Sequence, residues 1–515
     1  MISVRLAAAG AWLGLLLAAP PVLGQGPVRG VVFADRNGNG VRDPGEPGLP
    51  GVEVSNGTAI VLTDAAGGYR LEPDGDAPWF VIKPRGWRPP VNALNLPQFY
   101  RRRPAGATGA ATGAFDFPLQ ESPEPDRFQA LVLTDPQPTT EREVGYLAGS
   151  IVRGLAGASG AFAFGVTLGD LVSDRPDLYP SLNAAIARVG VPWYNVPGNH
   201  DLDLGTPDDR HEFAGFEAVY GPSVFAFHYG PALFIALNDV RFLGGPRYVG
   251  GLRPDQLAFI GNLLRLAPRE ELVVLLMHIP WFYPNPSRVQ TFRAADRGRL
   301  FALFADRPHV LWLSGHTHYQ RNVFHTADDG WTGAQPLHEY NVAAACGGFW
   351  GGPPDADGIP VATMADGTPP GYAVLTVDGT AAQTEYRPGR GPADAQIGLY
   401  APRAARARLG YVSYFANVFN GHEGWTIESR LDDRVWNRMQ RVIEWDPAYA
   451  EAYLAQNRDA EPAPGRRLPE PTVCYHLWRA YLPPDLAAGR HRVEIRATDP
   501  AGRVFSAARD LTVTP

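Results

Sequence analysis

Five short groups of polar residues in this chain have the composition of a metal-binding site: Asp135 and Gln137; Gly169-Asp170; Gly198-Asn199-His200-Asp201; His278; and Gly315-His316-Thr317-His318. Between them they offer two Asp, one Asn, one Gln and three His as ligands, with His200 and Asp201 adjacent. Carboxylate, amide and imidazole donors in that mixture are the ligand set of a two-metal site for hard or borderline divalent ions. Each group closes an apolar run that reads as a buried strand: ALVLTD, FAFGVTLGD, WYNVPGNHD, LVVLLMH and VLWLSGHTH. Side chains on loops just past strand ends are held by a rigid scaffold and still reach solvent. Read singly, Asp170 is also a helix N-cap and Asn199 a turn residue, but neither reading accounts for five such groups at five strand ends.

The elements that must position these residues follow from the intervening sequence. Helical periodicity covers Glu141 to Val152, Leu178 to Val189, Pro254 to Leu266 and Asp296 to Ala305, alternating with the strands. Such alternation predicts a layered α/β domain.

The five groups, in this order, resemble the motifs of the calcineurin-like metallophosphoesterases, over roughly residues 126 to 388. The resemblance implies two packed β-sheets flanked by helices. It also implies the ligand assignment. Asp135, Gln137, Asp170 and His318 would hold one ion, and Asp170, Asn199, His278 and His316 the other, with Asp170 shared. The reaction implied is hydrolysis of a small-molecule phosphomonoester, phosphodiester or pyrophosphate through a metal-bridging hydroxide. His200 would be the proton donor to the leaving oxygen, with Asp201 orienting its ring. Gln137 stands where histidine is commoner in the first motif. An amide oxygen there enriches the shell in oxygen, so among Mn, Fe, Mg and Zn manganese is favoured.

The rest of the 515 residues divides around this unit. Residues 1–24, with Arg5 before an apolar run and small residues at the end, read as an export signal. Residues 25–122 carry short strands broken by Gly, Asn, Asp and Pro, which predicts a β-sandwich. Its first loop places Asp35, Asn37, Asn39, Asp43 and Glu46 at positions 1, 3, 5, 9 and 12 of a calcium-loop spacing, with Gly40 at 6 and the Val41 carbonyl at 7. A structural calcium ion is the expectation, with a plain polar turn as the alternative.

Residues 390–515 alternate apolar and polar residues and predict an immunoglobulin-like β domain. A hairpin turn is expected at Ala487-Ala488-Gly489-Arg490, and a surface excursion over 447–470. Trp281, Phe282, Tyr283 and the loop Gly347–Gly352 are candidates for the pocket wall. The two cysteines, Cys346 and Cys474, either pair in an oxidising compartment or are small buried residues. Net charge is -7, with Lys83 the single lysine and no basic stripe, so nucleic-acid binding is not indicated. No stable membrane insertion is expected, and oligomeric state is left open. The competing reading is a calcium-stabilised surface protein whose central domain is catalytically idle.

Overall fold

The computed structural model describes residues 27–102, 115–158, 160–206, 208–281, 292–407, 412–458 and 466–515. The export signal read in residues 1–24 lies outside the described residues, as do Phe282 and Tyr283.

Two β-sheets form the centre. One has five strands in the order Trp193–Val196, Gly165–Leu168, Arg127–Leu133, Gly371–Asp378 and Ala381–Pro388. Its first three strands are parallel. The other has six, in the order Phe225–Tyr229, Ala232–Ala236, Leu272–Leu276, Val310–Ser314, Leu337–Asn341 and Arg321–His325. Four of these, from Ala232–Ala236 to Leu337–Asn341, run parallel. Parallel strands are buried on both faces, which is why they read as continuous apolar runs. The sheets meet face to face through aromatic side chains: the Phe164 and Phe234 rings lie 5.1 Å apart, and those of Tyr194 and Phe227 stack at 4.1 Å. The expected α/β layering is therefore observed.

The helices lie close to their expected places, at Glu141–Leu147, Tyr179–Ile186, Pro254–Leu266 and Ala294–Phe304. The first begins at Thr140, whose hydroxyl accepts from the Glu143 amide, and widens after Leu147 into a π turn over Ala148–Val152. Among the described residues no helix is long and apolar enough to cross a membrane.

Before this core stand two four-stranded sheets built from Val28–Ala34 through Phe117–Glu121. They share a continuous apolar cluster with the central domain, in which Phe80 meets Phe259 at 5.9 Å. The seam also holds buried charge. Lys83 pairs with Glu124 and donates to the His228 carbonyl at 2.6 Å. The His228 ring lies between Glu271, at 2.8 Å, and Glu53, at 3.5 Å.

After the core come two more sheets with their own apolar cluster around Trp478, Val493 and Ile495. Two expectations fail here. Val473–Leu482 and Gly489–Thr498 belong to different sheets, so Ala487–Arg490 is a crossing between sheets. The hairpin closes later, between Thr498 and Val504, where the Asp499 carboxylate accepts from the Arg503 amide. Residues 447–470 are not simply a surface excursion, because Pro447–Arg458 is a helix. Asp446 caps it by accepting from the Tyr449 amide at 2.8 Å, and Pro447 takes the first turn. The chain then returns to the core: Gln456 binds both the amide and the carbonyl of Leu468. Cys346 and Cys474 are both buried and free.

Candidate metal centre

All five groups arrive at one edge of the paired sheets, because the parallel strands before them end there. The loops are then tied to one another through their backbones. The Asp135 amide donates to the Gly169 carbonyl, that of Gln137 to Asp170, that of Gly315 to His278, and that of Cys346 to Asp135. Two glycines are demanded by this closeness. A Cβ on Gly315 would lie 1.8 Å from the Thr134 hydroxyl oxygen, and one on Gly169 would lie 2.4 Å from the His278 ring. Five of the seven expected ligands sit in the left-handed region: Asp135, Gln137, Asp170, His316 and His318, with φ from 40° to 73°. Side chains rarely adopt this conformation, and its clustering marks a site where backbone strain is tolerated.

The side chains converge. The His278 Nε2 lies 3.3 Å from Asp170 Oδ1, 3.1 Å from Asn199 Oδ1 and 3.2 Å from His316 Nδ1. Ligand atoms of Asp170, His278 and His316 all fall within 4.8 Å of one another. Gln137 Nε2 donates to Asp170 Oδ2 at 2.6 Å, and His318 Nε2 lies 3.5 Å from Asp135 Oδ1. Half a turn of the Gln137 amide about its last torsion exchanges the nitrogen that meets Asp170 for its oxygen.

The donor set fits divalent ions on two further observations. The first is that His278 Nδ1 donates to the Leu168 carbonyl at 2.8 Å and His318 Nδ1 to the Gly347 carbonyl at 2.7 Å. Those bonds fix the tautomer and leave Nε2 of each ring for a ligand. The second is that the Asp135 Oδ1 atom, fully buried, has among the described residues only the loose 3.5 Å contact to His318 Nε2, leaving room in its coordination for a cation.

The buried carboxylates and histidines set one another's charge. Burial alone would raise the Asp170 carboxyl, but His278, His200 and His316 hold it well below the usual carboxylate range. Burial would lower His278, yet Asp170 and Asp135 push it up to about 10. His316, buried and facing His278, falls to about 4.

His200 and Asp201 are placed differently from expectation. The His200 ring is half-exposed, and its Nδ1 meets Asp174 Oδ2 at 3.1 Å. Asp201 does not face that ring. Its carboxylate is buried and accepts from the Gly198 amide at 2.9 Å, the Leu171 amide at 3.1 Å and the Tyr179 hydroxyl at 3.0 Å. The reason is the short 3₁₀ turn Asn199–Asp201, which points successive side chains in different directions. Asp201 thus shapes the loop, and Asp174 holds the imidazole. Burial and the nearby Asp170 push the Asp201 carboxyl up to about 7.

Sequence reasoning passed over Asp174 and also Asp239. The buried Asp239 carboxylate accepts from the amides of His278, at 3.2 Å, and Ile279, at 2.9 Å, and so sets the loop that carries His278. Its signal was present, since Asn238-Asp239 closes the apolar strand Ala232–Ala236 much as Gly169-Asp170 closes its own.

Of the wall candidates, Trp281 is core: its ring packs at 4.1 Å on Trp312 and 5.1 Å on Phe292. The loop Gly347–Gly352 does line the site, with Phe349 stacked on His318 at 4.1 Å.

In the calcium-loop candidate, Asp35 Oδ1 and Oδ2 accept from the amides of Gly38 and Gly40. Asn37 and Asn39 both donate to Asp43 Oδ2, and Glu46 accepts from the amides of Arg36 and Asp43. The Val41 amide donates to Asn39 Oδ1. All six residues therefore lie around one turn.

Two packed sheets whose strand ends gather carboxylate, amide and imidazole ligands beside a half-exposed histidine define a metal-dependent phosphoester hydrolase. The comparisons agree, and the chain belongs to the calcineurin-like phosphoesterases. The N terminal of Calcineurin-like phosphoesterase matches residues 36–122, Calcineurin-like phosphoesterase residues 147–320, and the C terminal of Calcineurin-like phosphoesterase residues 339–505. Asp135 and Gln137 precede the catalytic match and enter the site through the fold.

Purple acid phosphatase PPD1 from yellow lupin (Lupinus luteus) seeds is similar in structure, with 15% identity and a TM-score of 0.38. That match covers 66% of this chain and 67% of the lupin chain. A metallophosphoesterase from Sphaerobacter thermophilus matches with 15% identity and a TM-score of 0.24, over 50% of this chain and 87% of that one. No curated protein matches the chain in sequence.

Proposed function

We propose that this chain is an exported phosphoesterase that cleaves a phosphomonoester, phosphodiester or pyrophosphate bond of a small molecule at a paired metal site, with manganese the favoured metal. Asp135, Gln137, Asp170 and His318 would hold one ion, and Asp170, Asn199, His278 and His316 the other. When bound, two such ions neutralise phosphate charge and acidify the attacking water. The chain's own groups do the rest. Asp170 would serve both positions, since its carboxylate meets His278 and Gln137 from the two ligand sets. The Leu168 and Gly347 carbonyls keep two imidazoles in the ligating tautomer. With Nδ1 held by Asp174, the half-exposed His200 keeps its other nitrogen for delivering a proton to the leaving oxygen.

Export is supported by the leader-like composition of residues 1–24. A structural calcium ion in the Asp35–Glu46 loop is supported by the gathering of Asp35, Asn37, Asn39, Asp43 and Glu46.

One observation carries the catalytic reading: buried carboxylates converge on histidines whose far nitrogens are fixed by carbonyls. The test is turnover of nitrophenyl mono- and diesters by metal-stripped and reloaded protein, with metal content measured. Reloading restores activity, and Asp170→Asn binds less metal and loses nearly all turnover. Two ions retained with near-normal activity in that variant would refute the assignment.

A further inference from the structure

The metal centre explains how a phosphate is held but not which ester arrives. Two aromatic rings border it, one against each histidine of the Gly315–His318 group. Phe349 stacks on His318 with ring centroids 4.1 Å apart and planes 24° from parallel. Tyr248 meets His316 edge-on at 6.0 Å. Both residues are half-buried, so part of each remains open to solvent.

Tyr248 packs at the margin of the central apolar cluster, whereas Phe349 is held by more than packing. Phe349 and Trp350 are consecutive non-glycine residues in the left-handed region, at φ 56° and 53°. Such conformations persist only where the surroundings impose them. Here the surroundings do impose them. Trp350 Nε1 donates to the Pro136 carbonyl at 2.9 Å, the Trp350 amide to Cys346, and the Gly348 amide to Ala362. Arg466 donates to the Phe349 carbonyl at 3.0 Å. A ring meant only to fill space needs no strained backbone to hold it on a ligand. Tyr248 stands on the short hairpin Val240–Phe242 with Tyr248–Gly250, which begins directly after Asp239 and therefore rises beside the His278 loop.

Resting on the phosphoesterase reading, we propose that Phe349 and Tyr248 form an aromatic subsite that selects phosphate esters or anhydrides carrying a flat ring system, as nucleotides do. The phosphate lies at the metal ligands and the flat group against one or both rings. Aromatic stacking tolerates any flat ring, so the subsite chooses the class of substituent and not its hydrogen-bonding pattern.

Phosphonate analogues, in which carbon replaces the ester oxygen and hydrolysis is impossible, separate binding from turnover. Affinities of manganese-loaded protein for a nucleoside phosphonate, benzylphosphonate, propylphosphonate and inorganic phosphate are measured by calorimetry. Wild type binds at least one of the two ring-bearing analogues more tightly than propylphosphonate, by about 5- to 100-fold, the range of one stacked ring. Phe349→Leu, which keeps apolar bulk, and Tyr248→Ala each narrow that ratio, while the affinity for inorganic phosphate stays within about twofold. Preference for the nucleoside analogue alone assigns nucleotides; equal preference assigns aryl esters generally. A ratio near one in wild type, or a ratio unchanged in both variants, overturns the subsite. Absence of turnover with the ratio intact would refute the catalytic reading and leave this inference standing.

Discussion

The His228 contact between the N-terminal and central domains should make stability fall as pH rises through the alkaline range. Its ring is 16% exposed and lies between Glu271 and Glu53. Burial works to lower its pKa, but hydrogen bonds and charge from the two carboxylates outweigh burial and push it up to about 9 from the ordinary 6.5. A group raised in the folded state binds its proton more tightly there than when unfolded. The stabilisation is therefore complete below pH 6.5 and is lost as pH climbs to 9. The shift is 9 − 6.5 = 2.5, which at 1.36 kcal/mol per unit is on the order of 3 kcal/mol. His228→Gln keeps a hydrogen-bonding side chain without the titration. Urea-unfolding free energies at both ends of the window, taken for both metal-stripped proteins, isolate the effect, because titrations elsewhere cancel in the difference. Wild type should lose about 3 kcal/mol more than the variant across the window. Parallel pH dependence in the two proteins would refute the assignment of a charged, carboxylate-held imidazole at this seam.

Asp174→Asn should slow hydrolysis about 10- to 100-fold with metals retained, and more for poor leaving groups than for nitrophenolate. Asp201→Asn should instead weaken metal binding with no such leaving-group dependence; rates across leaving groups and metal content distinguish the two. Gln137→His should move the metal preference of stripped protein from manganese towards zinc, read from activity titrations of both proteins, and an unchanged profile would mean that Gln137 does not touch the metal. Calcium should raise the first melting transition of the full-length protein, and Asp35→Ala with Asp43→Ala should abolish that shift; indifference to calcium and chelator in the parent would make the loop a plain turn.

The strand-end ligands were legible because two signals coincide at each: an apolar run long enough for a buried parallel strand, and a polar group directly after it. Where function depends on what faces what across separate loops, the sequence carries no such coincidence. Asp174 lies 26 residues before His200, and only the convergence of two strand ends brings their side chains to 3.1 Å. Adjacency pointed instead to Asp201, which the 3₁₀ turn directs inward to the loop backbone. The Pro447–Arg458 helix shows the opposite failure. Its start, Asp446-Pro447, is a cap followed by a first-turn proline, but the surrounding charge and proline masked it. The cysteines were undecidable for a third reason, since pairing depends on a separation that spacing does not encode. Cys346 proves to lie 3.6 Å from His318 Nδ1 and 3.8 Å from Gln137 Oε1, behind the ligands of one metal position. Its thiol sits beside the ring nitrogen that bonds the Gly347 carbonyl, and that same carbonyl belongs to the loop that carries Phe349. The residues that orient His318 and the ring that lies on it are thus one segment. A change that moves the Gly347 backbone should therefore alter metal binding and substrate choice together, whereas a side-chain change at Phe349 should reach only the second.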